Sequence, residues 1–184
     1  YKGQLKNNIK ARMKKKPSAF LNSKQQYAIW DDHDYGSNNS DASFKEKESS
    51  LNVFQQFWTN PKNDTFNYYT FQQQDGQFFM LDDRYNNNDN KLVLGNTQLD
   101  WLKKELQNSS ATFKFIGIGM QALNPLSTKE CFYKTDKEYK ELIEFIKTQH
   151  ISGVLFISGD RHHAELMRIK EEGLYPLYDF TTSP

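Results

Sequence analysis

Cysteine is almost missing from this 184-residue sequence: Cys131 is the one thiol. That excludes an internal disulfide and any cysteine-rich zinc module. No run of about 18 apolar residues is present, which excludes a transmembrane helix. Charge of one sign is not in excess either. Lys and Arg total 24 against 23 for Asp and Glu, a formal net charge of +1. A dedicated nucleic-acid or membrane-surface binder would show a basic surplus, so no nucleic-acid partner is expected. Hydrophobic residues are sparse at 36%, yet 14 Phe, 10 Tyr and 3 Trp can each bury a large area, enough for a packed core. The chain opens at Tyr1 without a starting Met or a signal segment, and we expect further sequence upstream.

Residues 1–26 are polar and basic and read as a connector or solvated helix. Tyr27-Ala28-Ile29-Trp30 is a short apolar run ending abruptly in Asp31-Asp32-His33-Asp34, the pattern of a buried strand that delivers polar groups at its end. A helix is expected from about Phe44 to Trp58, where Leu51, Phe54, Phe57 and Trp58 recur at helical spacing before Pro61. Phe66 to Gln73 and Gln77 to Leu81 read as strands joined by Asp75-Gly76, and the second ends in Asp82-Asp83-Arg84. Asn96 is placed to cap a helix carrying Leu99, Leu102 and Leu106. Phe113 to Ile118 is a strand, followed by Met120-Gln121. Thr135 and Glu138 match a capping box for a helix with Leu142, Phe145 and Ile146 inward. Val154 to Ile157 is an apolar strand that runs into Asp160-Arg161-His162-His163, and closing strands follow around Leu166, Ile169 and Leu174 to Phe180. Helices alternating with strands predict an α/β fold, a layered α/β sandwich with a mixed sheet, with residues 27–184 forming one portion of a single domain.

Ligands of open α/β sheets sit beyond the carboxyl ends of strands, where this sequence repeatedly puts Asp, His and Arg. Three of the four histidines fall in the two clusters 31–34 and 160–163. Imidazole and carboxylate are ligand types for zinc, manganese and iron, and carboxylate-rich sites also admit calcium. A site assembled from two distant strand ends suits a dinuclear hydrolase, in which a histidine can act as acid. Residues of these types also form ordinary loops and caps, and composition alone does not choose the reaction.

The motifs narrow the choice. Trp30-Asp31-Asp32-His33-Asp34-Tyr35-Gly36 with Asn38-Asn39 resembles the central motif of the PhoD-like alkaline phosphatases, a branch of the calcineurin-like metallophosphoesterases. Phe78 to Tyr85, Leu94-Gly95 with Gln98 to Leu102, Ser158-Gly159-Asp160-Arg161-His162 and Tyr175 to Pro184 resemble further blocks of that family, in its order. The resemblance implies a phosphomonoesterase or phosphodiesterase acting on a phosphate ester with two divalent or trivalent ions, Ca, Mn, Fe or Zn. It implies that Asp32, Asp160 and His162 are metal ligands, with Asp160 standing where the wider superfamily usually has His. His33 would protonate or stabilise the leaving oxygen, and Asp34 would orient it. Gln121 falls where a further metal ligand often follows a strand.

Arg84 has two readings, a bidentate phosphate holder or a structural ion pair with its Asp neighbours, and Arg161 shares the ambiguity. Asn39 is placed to reach the site from its loop. Asp31 and His163 read as supporting residues around it, and His150 as a surface cap at a helix end. The family's opening block, with a Gly-Asp motif that bridges both metals, has no counterpart upstream of Trp30. We therefore expect a C-terminal portion that supplies about half the site, leaves one side of the sheet uncovered, and pairs with an N-terminal piece or is inactive alone. The alternatives are a catalytically incomplete fragment serving as a metal- or partner-binding module, and a nuclease, which the near-neutral charge disfavours. Export is suspected from the family.

Overall fold

The computed structural model describes residues 24–58, 60–61, 65–88 and 91–183. Most of the expected connector at 1–26 lies outside the described residues. The chain enters through a short helix α1, Asp32–Tyr35, and a longer α2, Lys47–Phe57. The hairpin β1, Tyr69–Gln73, and β2, Gly76–Met80, comes next, then helix α3, Gly95–Asn108, and strand β3, Phe113–Gly117. A 3-10 turn, Phe132–Thr135, leads into α4, Lys137–Thr148, and strands β4, Val154–Ser158, β5, Ala164–Ile169, and β6, Leu177–Thr182, close the fold.

Six strands form one mixed sheet in the order β1-β2-β3-β4-β6-β5. The β2, β3, β4 and β6 neighbours run parallel, and the outer β1 and β5 pair antiparallel to the strands beside them. The α/β class expected from the sequence is the observed one. Four parallel strands side by side bring the ends of β2, β3 and β4 to one edge, which is where the polar clusters of the sequence fall.

One face of the sheet is covered. Phe79, Ile116 and Phe156 point from it into a core with Leu99, Leu102 and Leu106 of α3 and Leu142, Ile143 and Ile146 of α4. Among the described residues the other face is partly exposed. Its register runs Phe71, Phe78, Phe115, Leu155, Tyr178 across five strands. Phe71, Phe78 and Phe115 stack at 4.8 Å between ring centroids, and Tyr27 stacks on Phe71 at 3.6 Å. Phe113 is 48% exposed, Phe180 51% and Leu166 65%. An exposed apolar face of this extent marks a contact surface.

Several local expectations need correcting. The run 27–30 is not a strand. Its backbone is satisfied by side chains, since Ala28 N–H donates to Asn60 Oδ1 at 3.0 Å, and Ala28 O accepts from Asn60 Nδ2 at 2.7 Å and from Tyr69 OH at 2.9 Å. The hairpin turn is shifted by one residue: Gln74 takes φ 51°, and Gly76 already pairs with Gln73. The capping box is split. Thr135 Oγ1 accepts from Tyr139 N–H at 3.2 Å, but the Glu138 carboxylate accepts the N–H groups of Val93, Leu94 and Gly95 at 2.6, 3.1 and 2.7 Å. Glu138 thus serves the start of α3, the role the sequence offered to Asn96, and joins the two helices. No described helix is long and apolar enough to cross a membrane.

Candidate functional site

The end of β2 builds a buried polar shelf. Asp82 Oδ1 accepts from Trp30 Nε1 at 2.7 Å and from the N–H groups of Arg84 and Tyr85 at 3.0 Å each, fixing the turn that leaves the sheet. The Asp83 carboxylate is fully buried and accepts Met120 N–H at 2.6 Å. Arg84 is also fully buried; its Nε donates to Asp31 Oδ1 at 2.9 Å and its Nη1 to Glu130 Oε2 at 2.9 Å. Burial works against that charge, yet Asp83, Asp31 and Glu130 together hold the guanidinium well above its usual pKa. Burial, partly offset by Arg84, lifts the Asp83 carboxyl above the usual range. Of the two readings of Arg84, the geometry is that of the structural ion pair; it does not line the cleft described below.

Two glycines let this shelf close. A Cβ at Gly119 would sit 2.8 Å from Asp83 Oδ2 and 2.9 Å from Trp30 O. Gly119 O accepts Gly159 N–H at 2.9 Å, tying the exits of β3 and β4 together. Beside them Gln121, also fully buried, donates through Nε2 to Glu165 at 2.7 Å and Thr181 at 3.1 Å, and its Oε1 accepts from Asn124 at 2.9 Å. The expected metal-binding carbonyl is therefore engaged inside the protein, and Gln121 acts as a tie between β3 and the β5–β6 pair.

Above the shelf lies an open cleft of about 720 Å³. One wall carries Asp32, His33, Asn38 and Asn39, another Asp160, Arg161 and His162, and a third residues 128–131 with Lys134. The two histidine clusters thus meet at one rim. Asp32 is buried and fixes its own wall, its Oδ1 accepting His33 N–H at 2.6 Å and its Oδ2 accepting Asn39 N–H at 2.7 Å. His33 stands exposed beside it. Asn39, Asp160 and His162 all have left-handed backbones, φ 58°, 66° and 55°. Asn, Asp and His tolerate that region better than most residues, and such conformations cluster where a fold aims side chains at a ligand. Burial, and then the Asp32 carboxylate, raise the pKa of Asp160, against the pull of Arg84 and Arg161.

Other expectations differ in part. Asp34 is half-buried in α1 and does not line the cleft. His163 is exposed rather than packed, with Nδ1 2.9 Å from Arg161 O and Nε2 3.5 Å from Glu165. Asp31 is taken by Arg84, and burial with Asp32 and Asp160 nearby raises its pKa despite that partner. His150 lies exposed just past α4 with φ 53°. Sequence reasoning passed over Lys129, Glu130 and Lys134. The signal available was a polar, charged segment directly after the β3 exit, the place where a parallel sheet presents ligand-binding loops.

No three His, Cys, Asp or Glu side chains of the described residues converge to hold an ion. Both Asp32 oxygens accept backbone N–H groups, and Asp31 and Glu130 are paired with Arg84. The residues present do not form a complete metal site.

Sheet order and cleft define a layered α/β protein with its candidate site at the carboxyl edge of parallel strands. The family model of the PhoD-like phosphatases matches residues 6–183, and the chain belongs to that family. The match begins well before Tyr27, where the recognisable motifs start. A solved structure described as "Structure of PhoD" shares the fold with a TM-score of 0.69 at 16% identity, over 84% of this chain and 39% of that one. The chain thus spans about two fifths of that protein. No curated protein matches it.

Proposed function

We propose that this chain is the C-terminal portion of a phosphoric ester hydrolase, a phosphomonoesterase or phosphodiesterase, and that the cleft is its part of the active site. One observation carries the reading: Asp32 and His33 share a cleft with Asp160, Arg161 and His162, at the edge of the sheet where the family's motifs end. His33, exposed and held through its backbone by Asp32, is the acid that meets the departing oxygen. Arg161, which lines the same cleft, meets the phosphate oxygens. Asp160 and His162 are this chain's contribution to the metal set; calcium, manganese, iron or zinc would need ligands from outside the described residues.

Two further observations favour incompleteness. The described side chains do not assemble a metal site, and the aromatic face of the sheet is partly exposed among the described residues. In this reading the remainder of the enzyme covers that face, consistent with the chain matching 39% of its structural relative. The second reading, a catalytically incomplete module, draws on the same two observations.

The test compares the complete gene product with residues 1–184 alone, using p-nitrophenyl phosphate and bis(p-nitrophenyl) phosphate with each metal. Hydrolysis by the complete protein, lost in His33→Ala, with little or none from the isolated chain, is the expected result. No hydrolysis by the complete protein contradicts the hydrolase; full activity of the isolated chain contradicts its incompleteness.

A further inference from the structure

With Arg84 committed to the interior, the cleft needs another source of positive charge to receive an anion. The third wall has one. Lys129 lies on the loop after β3 and Lys134 on the 3-10 turn, both exposed and both lining the cleft. The wall is anchored rather than loose: Phe132 N–H and Tyr133 N–H donate to Gln121 O and Ala122 O at 2.9 Å each, and Phe132 is fully buried in the core. Lys134 Nζ donates to Lys129 O at 3.0 Å, which holds the two residues together. The charge of Glu130, the acidic residue between them, is not left to the lysines alone, because its carboxylate also accepts from Arg84 Nη1 at 2.9 Å. The rest of the lining carries the carboxylates Asp32 and Asp160.

We propose that Lys129 and Lys134 form an anion-specificity wall, which selects phosphoric esters whose alcohol portion carries a second anionic group. The inference rests on the hydrolase reading and extends it to substrate class. At about 720 Å³ the cleft falls in the ~300–1,000 Å³ range of sites for whole small molecules, so there is space for more than a single phosphoryl group. A substrate whose reacting phosphate meets His33 and Arg161 has Lys129 and Lys134 in the same cleft for the remainder of the molecule. Lysine suits such a role, offering a mobile point charge that tolerates variation in the anion.

The test measures binding of inorganic phosphate and of pyrophosphate to residues 1–184 by calorimetry in EDTA, which keeps metal out of the comparison. The wild-type chain should prefer pyrophosphate by about five- to tenfold, as two exposed charge contacts allow, with a preference that shrinks at high salt. Lys129→Ala/Lys134→Ala should bring the ratio to about one while leaving phosphate affinity within about twofold, and the double Arg variant should restore the preference. Lys104→Ala, on the exposed side of α3, should change neither. In the complete enzyme the double Ala variant should raise KM for a bis-anionic ester and leave kcat unchanged. An unchanged ratio in the double Ala variant, or a wild-type chain that binds neither probe, overturns the specificity wall. Hydrolysis of p-nitrophenyl phosphate by the complete enzyme judges the hydrolase reading separately.

Discussion

At the carboxyl edge of the sheet, polar residues divide between a sealed shelf and an open rim. The shelf consists of Asp82, Asp83, Arg84 and Gln121 with Asp31 and Glu130 closing over them, and its groups bond to one another, to backbone amides and, from Gln121, to the side chains of Asn124, Glu165 and Thr181. The rim consists of His33, Asp160, Arg161 and His162, which face the cleft. Both groups come from segments at the carboxyl edge of the sheet and share residue types. What separates them is solvent: a buried charge must be paired or it costs several kcal/mol, whereas a charge at the rim remains available for a ligand.

The contrast breaks most sharply at Arg84. Arg84→Ala strands Asp31, Asp83 and Glu130 and should cost about 3–5 kcal/mol, read as a lowered denaturant midpoint. A cost below 1 kcal/mol would mean that the shelf is not structural. His33→Ala tests the opposite pole; in the complete enzyme it should reduce kcat about 100-fold, the lower range for loss of a catalytic acid, and leave the melting temperature of the chain in place. Gly119→Ala forces a methyl group against Asp83 and Trp30 and should destabilise by about 1–3 kcal/mol. Glu138→Gln weakens the acceptor of three N–H groups at the start of α3 and should cost about 1 kcal/mol, with increased amide exchange at residues 93–95. Phe180→Ser, on the exposed part of the sheet face, should leave the denaturant midpoint within about 0.5 kcal/mol of wild type.

Much of this was legible in the sequence, because it depends on local pattern. The leucines of α3 and α4 repeat at helical spacing, the hairpin carries its turn residues, and Asp or His clusters end apolar runs. The remainder depends on partners distant in the chain. Asp82-Asp83-Arg84 and Asp160-Arg161-His162 look alike as strings, and only the positions of Asp31 and Glu130 send Arg84 inward while Arg161 stays at the cleft. Tyr27 to Trp30 has the apolar composition of a strand, but Asn60 and Tyr69 take the hydrogen bonds a neighbouring strand would need. Glu138 fits a local box in sequence and is drawn instead to amides more than forty residues away. Lys129 and Lys134 had no motif to mark them, since charged loop residues are common and their place beside the cleft is a tertiary fact.

The most direct test of a single site shared by the two ends of the sequence follows imidazole resonances of the 184-residue chain while inorganic phosphate is added. His33 and His162 should shift together along one binding curve, and His150, past the far end of α4, should stay still. Separate curves for His33 and His162, or no response from either, would contradict a common phosphate-binding cleft.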